Sequence, residues 1–180
     1  TPANIEQTIR EMDALNLRVL NNLSGGSGPA LREKVEAIRA SRYRDRFRVF
    51  ANVNWNGAGG PGWKEREVAA LRQAVADGAI GLKIFKDLGL RSTKADGSRL
   101  RVDDAELDPV FALCGELNIP VLIHTADPAQ FFQPIDNHNE RWLELGLFPN
   151  RAYPADRFPS FETLMQERDR MFARHPKTRF

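Results

Sequence analysis

Apolar residues recur along this chain with two periods that take turns. In "NIEQTIREMDALN" Ile5, Ile9, Met12 and Leu15 fall at the spacing of one helix face, and the "LRVLNNL" that follows has strand character. "SGGSGPALREKVEAIRAS" is a glycine-rich turn opening a helix, with Pro29 near its first turn and Leu31, Val35 and Ile38 on one face. "FRVFANVNW" is the next strand; "NGAGGPG" then breaks the chain, and "WKEREVAALRQAVADG" predicts a helix that stops at Gly78. "AIGLKIFKDLGL" reads as a third strand, and the polar stretch "RSTKADGSRLR" precedes the helix "DDAELDPVFALCGELN". The apolar run from Ile119 to Ile123, bounded by Asn118 and by Asp127-Pro128, predicts a fourth strand, fully buried in a parallel sheet. Strands thus begin near residues 17, 47, 80 and 119, and spacings of 30 to 39 residues match successive βαβ units with right-handed crossovers.

The last third breaks this rhythm. "FFQPIDNHNERWLELGLFPNRAYPADRFPSF" is rich in prolines and asparagines, and its phenylalanines and tryptophan favour an ordered segment. It predicts a long loop over 128–161 acting as a lid or substrate wall. The helix "ETLMQERDRMFARH" follows, and "KTRF" looks like the first residues of another strand. Eight βα units need about 250 residues, whereas these 180 carry four strands and the stub of a fifth. The expectation is an α/β chain of parallel (β/α) units, a single partial barrel domain over 1–180. The alternative is a doubly wound sheet that binds a small ligand at its strand ends. Strand order separates them: a barrel arc runs sequentially with every helix on one face, whereas a doubly wound sheet reverses direction and uses both. An arc also leaves two open edges, so homo-oligomer formation is expected.

Composition narrows the partners. At 42% hydrophobic and 28% charged residues the chain can bury a core of ordinary size. Its 26 basic and 24 acidic residues are mixed along the sequence, which argues against nucleic acid or an anionic membrane as a partner and leaves a small molecule. No run approaches the roughly 18 apolar residues of a membrane span. The only cysteine, Cys114, shares a helix face with Val110, Phe111 and Leu117 and reads as core packing. A single thiol suits a reducing compartment, so a cytoplasmic location is expected, although a chain beginning at Thr1 rather than Met leaves room for a removed leader or an upstream segment.

Candidate chemistry collects at predicted strand ends. His124 terminates the fourth strand, on the rim where parallel α/β folds gather ligands and catalytic groups; a packed histidine bonded to a carbonyl is the bland reading. Lys83 and Lys86 stand inside an apolar strand with opposite parity, and Lys86 is a candidate to touch a substrate. One should face the barrel interior, while the other faces the helix layer and snorkels outward. Asn54 and Trp55 end the second strand at the same rim, positions that substrate contact or turn chemistry would equally select. Within the long loop, Asn139 and Arg141 are candidates to touch a substrate, and His138 beside them is either solvated or a contact. His175, near a helix C-terminus, reads as structural. "LSGGSGPALREK" lacks the ending of a phosphate-binding P-loop and is expected to be a plain connection.

"IPVLIHTADPAQFFQPIDNHNERW" together with "FPSFETLMQERDRMFARHPKTRF" resembles the amidohydrolase-related (amidohydrolase 2) family of metal-dependent hydrolases and decarboxylases, which are TIM barrels. The resemblance covers most of the chain, is most specific over 119–180, and implies barrel strands 2 to 5 plus the start of strand 6. It further implies a divalent metal, zinc being expected, held at the C-terminal rim by a His-x-His pair from the first strand, histidines from the fifth and sixth, and an aspartate from the eighth. Of these, only the fifth-strand histidine has a counterpart, His124. "GLKI" is similar to the segment carrying a carboxylated, metal-bridging lysine in ureases of the wider superfamily, which makes Lys83 a possible second ligand, an active-site cation being the other functional reading. The implied activity is attack of a metal-activated water on a small organic substrate, by C–N or C–O bond hydrolysis or with decarboxylation. A catalytically inactive homologue is a further alternative. With so few ligands, this chain alone is expected to be inactive.

Overall fold

The computed structural model describes residues 4–180, so the first three residues of the expected 1–180 domain lie outside the described residues. Helix α1 (Ile5–Ala14) leads into β1 (Leu20–Asn22), α2 (Gly28–Ala40), β2 (Phe47–Ala51), α3 (Trp63–Asp77), β3 (Gly81–Ile84), α4 (Asp108–Glu116) and β4 (Val121–Ile123). The four strands are parallel and pair in chain order, β1-β2-β3-β4. Sequential order is the arc of a (β/α)8 barrel and excludes the doubly wound alternative, in which the order reverses. The helices match the hydrophobic periods closely, but β1 starts at Leu20 rather than near residue 17, β3 ends at Ile84 rather than running on to Leu90, and β4, expected to be fully buried, leaves Leu122 exposed.

Alternation along the strands divides the two faces. Val49, Ala51, Leu82, Ile84 and Val121 are buried and pack with Leu31 and Val35 of α2, Leu71 and Ala74 of α3, and Val110, Phe111, Leu113 and Cys114 of α4. The register pairs Phe50 with Gly81 and Lys83 with Leu122, and these residues point to the opposite, concave face. A smaller cluster of Ile9, Met12 and Phe47 fastens α1 beside the start of β2. Cys114 is fully buried and its thiol is pushed up to about 12 by burial, which suits inert packing.

Two glycines are fixed by close approach. A Cβ on Gly25 would lie 2.2 Å from the carbonyl oxygen of Phe50, and Gly78, at φ +121 after α3, leaves room for the Arg39 guanidinium 2.5 Å from where a Cβ would stand. The turn holding Gly25 is a connection, as expected: Lys34 Nζ donates to the carbonyls of Ser24 and Gly25, and Asn52 Oδ1 accepts from Gly26 N.

Beyond β4 the loop over 128–161 is ordered and contains α5 (Trp142–Leu147), with Phe131, Leu145 and Tyr153 buried. Ser160 caps α6 (Phe161–Arg174) by accepting from Thr163 N at 3.1 Å. The segment 177–180 is not a strand, yet it lies where a fifth would begin: Val121 N donates to Arg179 O at 2.8 Å. His175, at the C-terminal end of α6, is buried with its Nε2 2.9 Å from Asp108 Oδ1 at the start of α4, a packing position in keeping with its structural reading.

Candidate active-site cleft

The strand ends and the loop over 128–161 enclose a cleft of about 580 Å³ lined by His124, Lys86, Arg141, Asp87, Arg91 and Tyr153 among others. Its floor follows from strand geometry. The ladder runs one residue past β4, with His124 N donating to Ile84 O at 3.0 Å, which fixes the histidine at the rim. Its Nε2 lies 3.2 Å from the carbonyl oxygen of Asp127 and 3.7 Å from Asp127 Oδ2. The ring therefore sits among oxygens and remains partly exposed to the cleft.

The two lysines occupy different places. Lys83 points to the concave face, only 7% exposed, with its Nζ 5.3 Å from the centre of the Phe85 ring. Burial lowers its pKa from the ordinary lysine value, because an ammonium loses water there without gaining a carboxylate among the described residues. The expectation that one of the two lysines turns to the helix layer is corrected by Lys86, a candidate substrate contact, which lines the cleft. It stands past the end of β3, and its Nζ enters the cleft 5.0 Å from the Phe131 ring centre and 5.7 Å from that of Tyr153. The parity argument fails there because the strand has already ended.

Of the loop candidates, Arg141 lines the cleft and is held 3.3 Å from Glu144 Oε2. Asn139 does not line it, which corrects its reading as a substrate contact. It is 3% exposed and staples the loop: its Nδ2 donates to the carbonyls of Gln130 and Pro134, both at 2.9 Å, and its Oδ1 accepts from Arg141 N at 2.8 Å. His138 is exposed, and its backbone N–H is bonded to Asp136. Trp55 lines a smaller cavity that shares Asp87 and Arg91 with the main cleft. Asn54 makes the turn instead, accepting from Asn56 N at Oδ1 and from Trp63 Nε1 at its carbonyl, while its N–H donates to Glu67.

The sequence reading missed Arg91 and Tyr153. Arg91 carries no strand-end signal, lying beyond the turn after β3; Tyr153 is a buried aromatic in a segment of irregular period. A second cavity of about 400 Å³ lies between α1, α2 and β1. Among the described residues lining it, Lys34 alone is ionisable, and its Nζ is already bonded to two carbonyls.

Among the described residues no group of three or more His, Cys, Asp or Glu side chains is placed to hold a metal ion. A catalytic metal normally takes about three protein ligands, so His124 and its neighbours do not make a complete site by themselves. Nor is any helix among the described residues long and apolar enough to cross a membrane.

Comparison with known proteins gives two findings. The amidohydrolase family model matches residues 30–180. The fold is similar to the crystal structure of an amidohydrolase from Mycobacterium avium subsp. paratuberculosis K-10, with a TM-score of 0.53 and 20% sequence identity, over 96% of this chain and 46% of that one. This chain therefore spans about half the length of that protein. Curated proteins yield no significant match.

Proposed function

Because this chain belongs to the amidohydrolase family, we propose that it forms the half of a barrel that presents a substrate cleft in a metal-dependent hydrolase acting on a small organic molecule. The observation that carries the reading is His124, fixed at the carboxyl end of β4 and open to a cleft of about 580 Å³. In this reading His124 contributes one ligand to a divalent metal, zinc in the first instance, and residues outside this chain contribute the others. The bond attacked, C–N or C–O, or a decarboxylation, is left to the whole protein.

This chain's own residues supply the surroundings. Phe131 and Tyr153 give the cleft an aromatic wall beside its charged lining. Glu144 holds both Arg141, at 3.3 Å, and Arg151, at 2.6 Å, and so fixes the outer lip. Lys83 has the parity of the concave face, and burial lowers its pKa, which favours the neutral amine that carboxylation would require and supports it as a second ligand.

The test compares the full-length protein with its His124→Ala variant, by metal content after dialysis and by turnover across amide, ester and lactone substrates. Loss of bound metal together with turnover is expected. Unchanged metal and turnover would sink the assignment.

A further inference from the structure

Three places in the chain put an Asn or Asp directly before a glycine: Asn56-Gly57, Asp77-Gly78 and Asp96-Gly97. A following glycine, without a Cβ, leaves its backbone nitrogen unshielded and free to turn toward the side-chain carbonyl carbon one residue back. The fold withdraws two of the three. Gly78 N donates to the carbonyls of Ala74 and Val75 at 3.1 and 3.0 Å, at the end of α3. Gly97 N donates to Lys94 O at 3.0 Å, and hydrogen bonds from the Ser98 hydroxyl and N–H hold the Asp96 carboxyl below its usual range, in the ionised form that resists nucleophilic attack. Gly57 N has no acceptor among the described residues, and the Asn56 side-chain amide has no partner there either. Both residues are exposed. Their neighbours are anchored: Asn54 O accepts from Trp63 Nε1 at 3.0 Å, Ala58 N donates to Trp55 O at 3.1 Å, and the carbonyl of the buried Ala58 accepts from Ala95 N at 2.8 Å. Asn56 and Gly57, the latter at φ +79, form the tip of the turn between those ends.

We propose that Asn56 is a site of spontaneous covalent modification, deamidating through a cyclic imide formed with Gly57. The Gly57 nitrogen loses its proton and bonds to Asn56 Cγ; the Cγ–Nδ2 bond breaks and ammonia leaves. One water then opens the ring. Addition at Cγ restores the backbone and leaves aspartate, whereas addition at the backbone carbonyl leaves isoaspartate, with Gly57 joined through Cγ and an extra methylene in the main chain. No oxidant or reductant takes part. Either product puts a carboxylate on a cavity of about 200 Å³ that Asn56 lines together with Trp55, Asp87 and Arg91. Isoaspartate also lengthens the turn that the bond from Ala58 N to Trp55 O closes. The modification needs no catalytic turnover, so it stands or falls apart from the hydrolase reading.

The test ages the full-length protein at neutral and mildly alkaline pH, natively and in urea, and maps its peptides by mass spectrometry with isoaspartate scored separately. In the native protein the Asn56 peptide should acquire both products, about tenfold faster for each unit of pH because one proton leaves the Gly57 nitrogen before attack. The peptides holding Asp77 and Asp96 should stay unaltered until urea releases their glycine nitrogens. Asn56→Gln, an exposed change that demands a larger ring, should slow the conversion at least about tenfold. Asn56→Asp should elute with the aged wild type on ion exchange. An Asn56 that stays intact natively yet converts in urea would overturn the proposal. So would isoaspartate forming natively at Asp77 or Asp96 as fast as at Asn56, or an acidic shift on ageing that persists undiminished in Asn56→Gln.

Discussion

Lys83 is a cation on the inner face of a strand with no anion beside it among the described residues, and its lowered pKa sets the sign of its effect on stability. Below its folded pKa the protein pays the full desolvation penalty; between that value and the unfolded value of about 10.4 the unfolded chain binds more protons, so stability rises with pH. Lys83→Met is therefore expected to raise the urea midpoint at neutral pH and to remove the rise on the alkaline side. If Lys83 also serves the chemistry, the same variant should lower turnover of the full-length protein while stabilising it. The placement of the candidate residues was legible where strand geometry dictated it. His124 ends an apolar run, and Lys83 has the parity of Gly81 on the concave face. Asn139 was illegible because a polar loop residue looks the same whether its amide faces solvent or spans two carbonyls of its own loop.

Helix α6 is tied to the segment after β3 by buried charge. Glu167, 1% exposed, pairs with Arg99, lies 3.4 Å from Arg101 Nε and accepts from Val102 N at 3.2 Å. Asp103 receives Arg101 Nε at 2.9 Å and Arg170 Nε at 2.6 Å. Glu167→Ala should destabilise by about 3 kcal/mol in denaturant unfolding, the low end for a broken buried pair because the arginines keep access to water. Burial alone would raise the Asp103 pKa, but its hydrogen bonds to Arg170 and Arg101 hold it below the ordinary value. Its contribution is thus fully present above the unfolded pKa of about 3.9 and lost as pH falls through the lower folded one. Asp103→Asn should flatten the acid limb of the stability profile below pH 4 or so. On β3, a Cβ at Gly81 would meet the Phe50 ring at 2.4 Å, so Gly81→Ala should cost about 1–3 kcal/mol in the same assay. Helices with a clean period were read to within a few residues, whereas β3, read through to Leu90, stops at Ile84 because the chain turns there. Within the loop over 128–161 the short α-helix Trp142–Leu147 was not legible, because it buries only Leu145 and so leaves no repeating apolar face.

At the scale of the molecule, the arc exposes what a closed barrel would cover. Leu122 is 45% and Phe85 42% exposed, with Leu122 beside Lys83 on the concave face, and β1 has no strand on its outer side among the described residues. Expressed alone, these 180 residues should run larger than their 20.3 kDa by light scattering, and Leu122→Lys should shift them toward that mass. The parallel (β/α) units were legible because four periods of strand and helix announce them, whereas the sequential order that separates an arc from a doubly wound sheet is carried by the strand pairing. The cleft's full lining was not legible, since it depends on how a long loop folds back over the rim. The pairing order has a consequence for synthesis. Each strand takes as its partner the one made just before it, and the carbonyl of Arg179 is already bonded to Val121 on the growing side. A ribosome emitting this chain from its N-terminus would therefore deliver every strand to a waiting template, so that the sheet can accrete during translation without a distant segment having to arrive first.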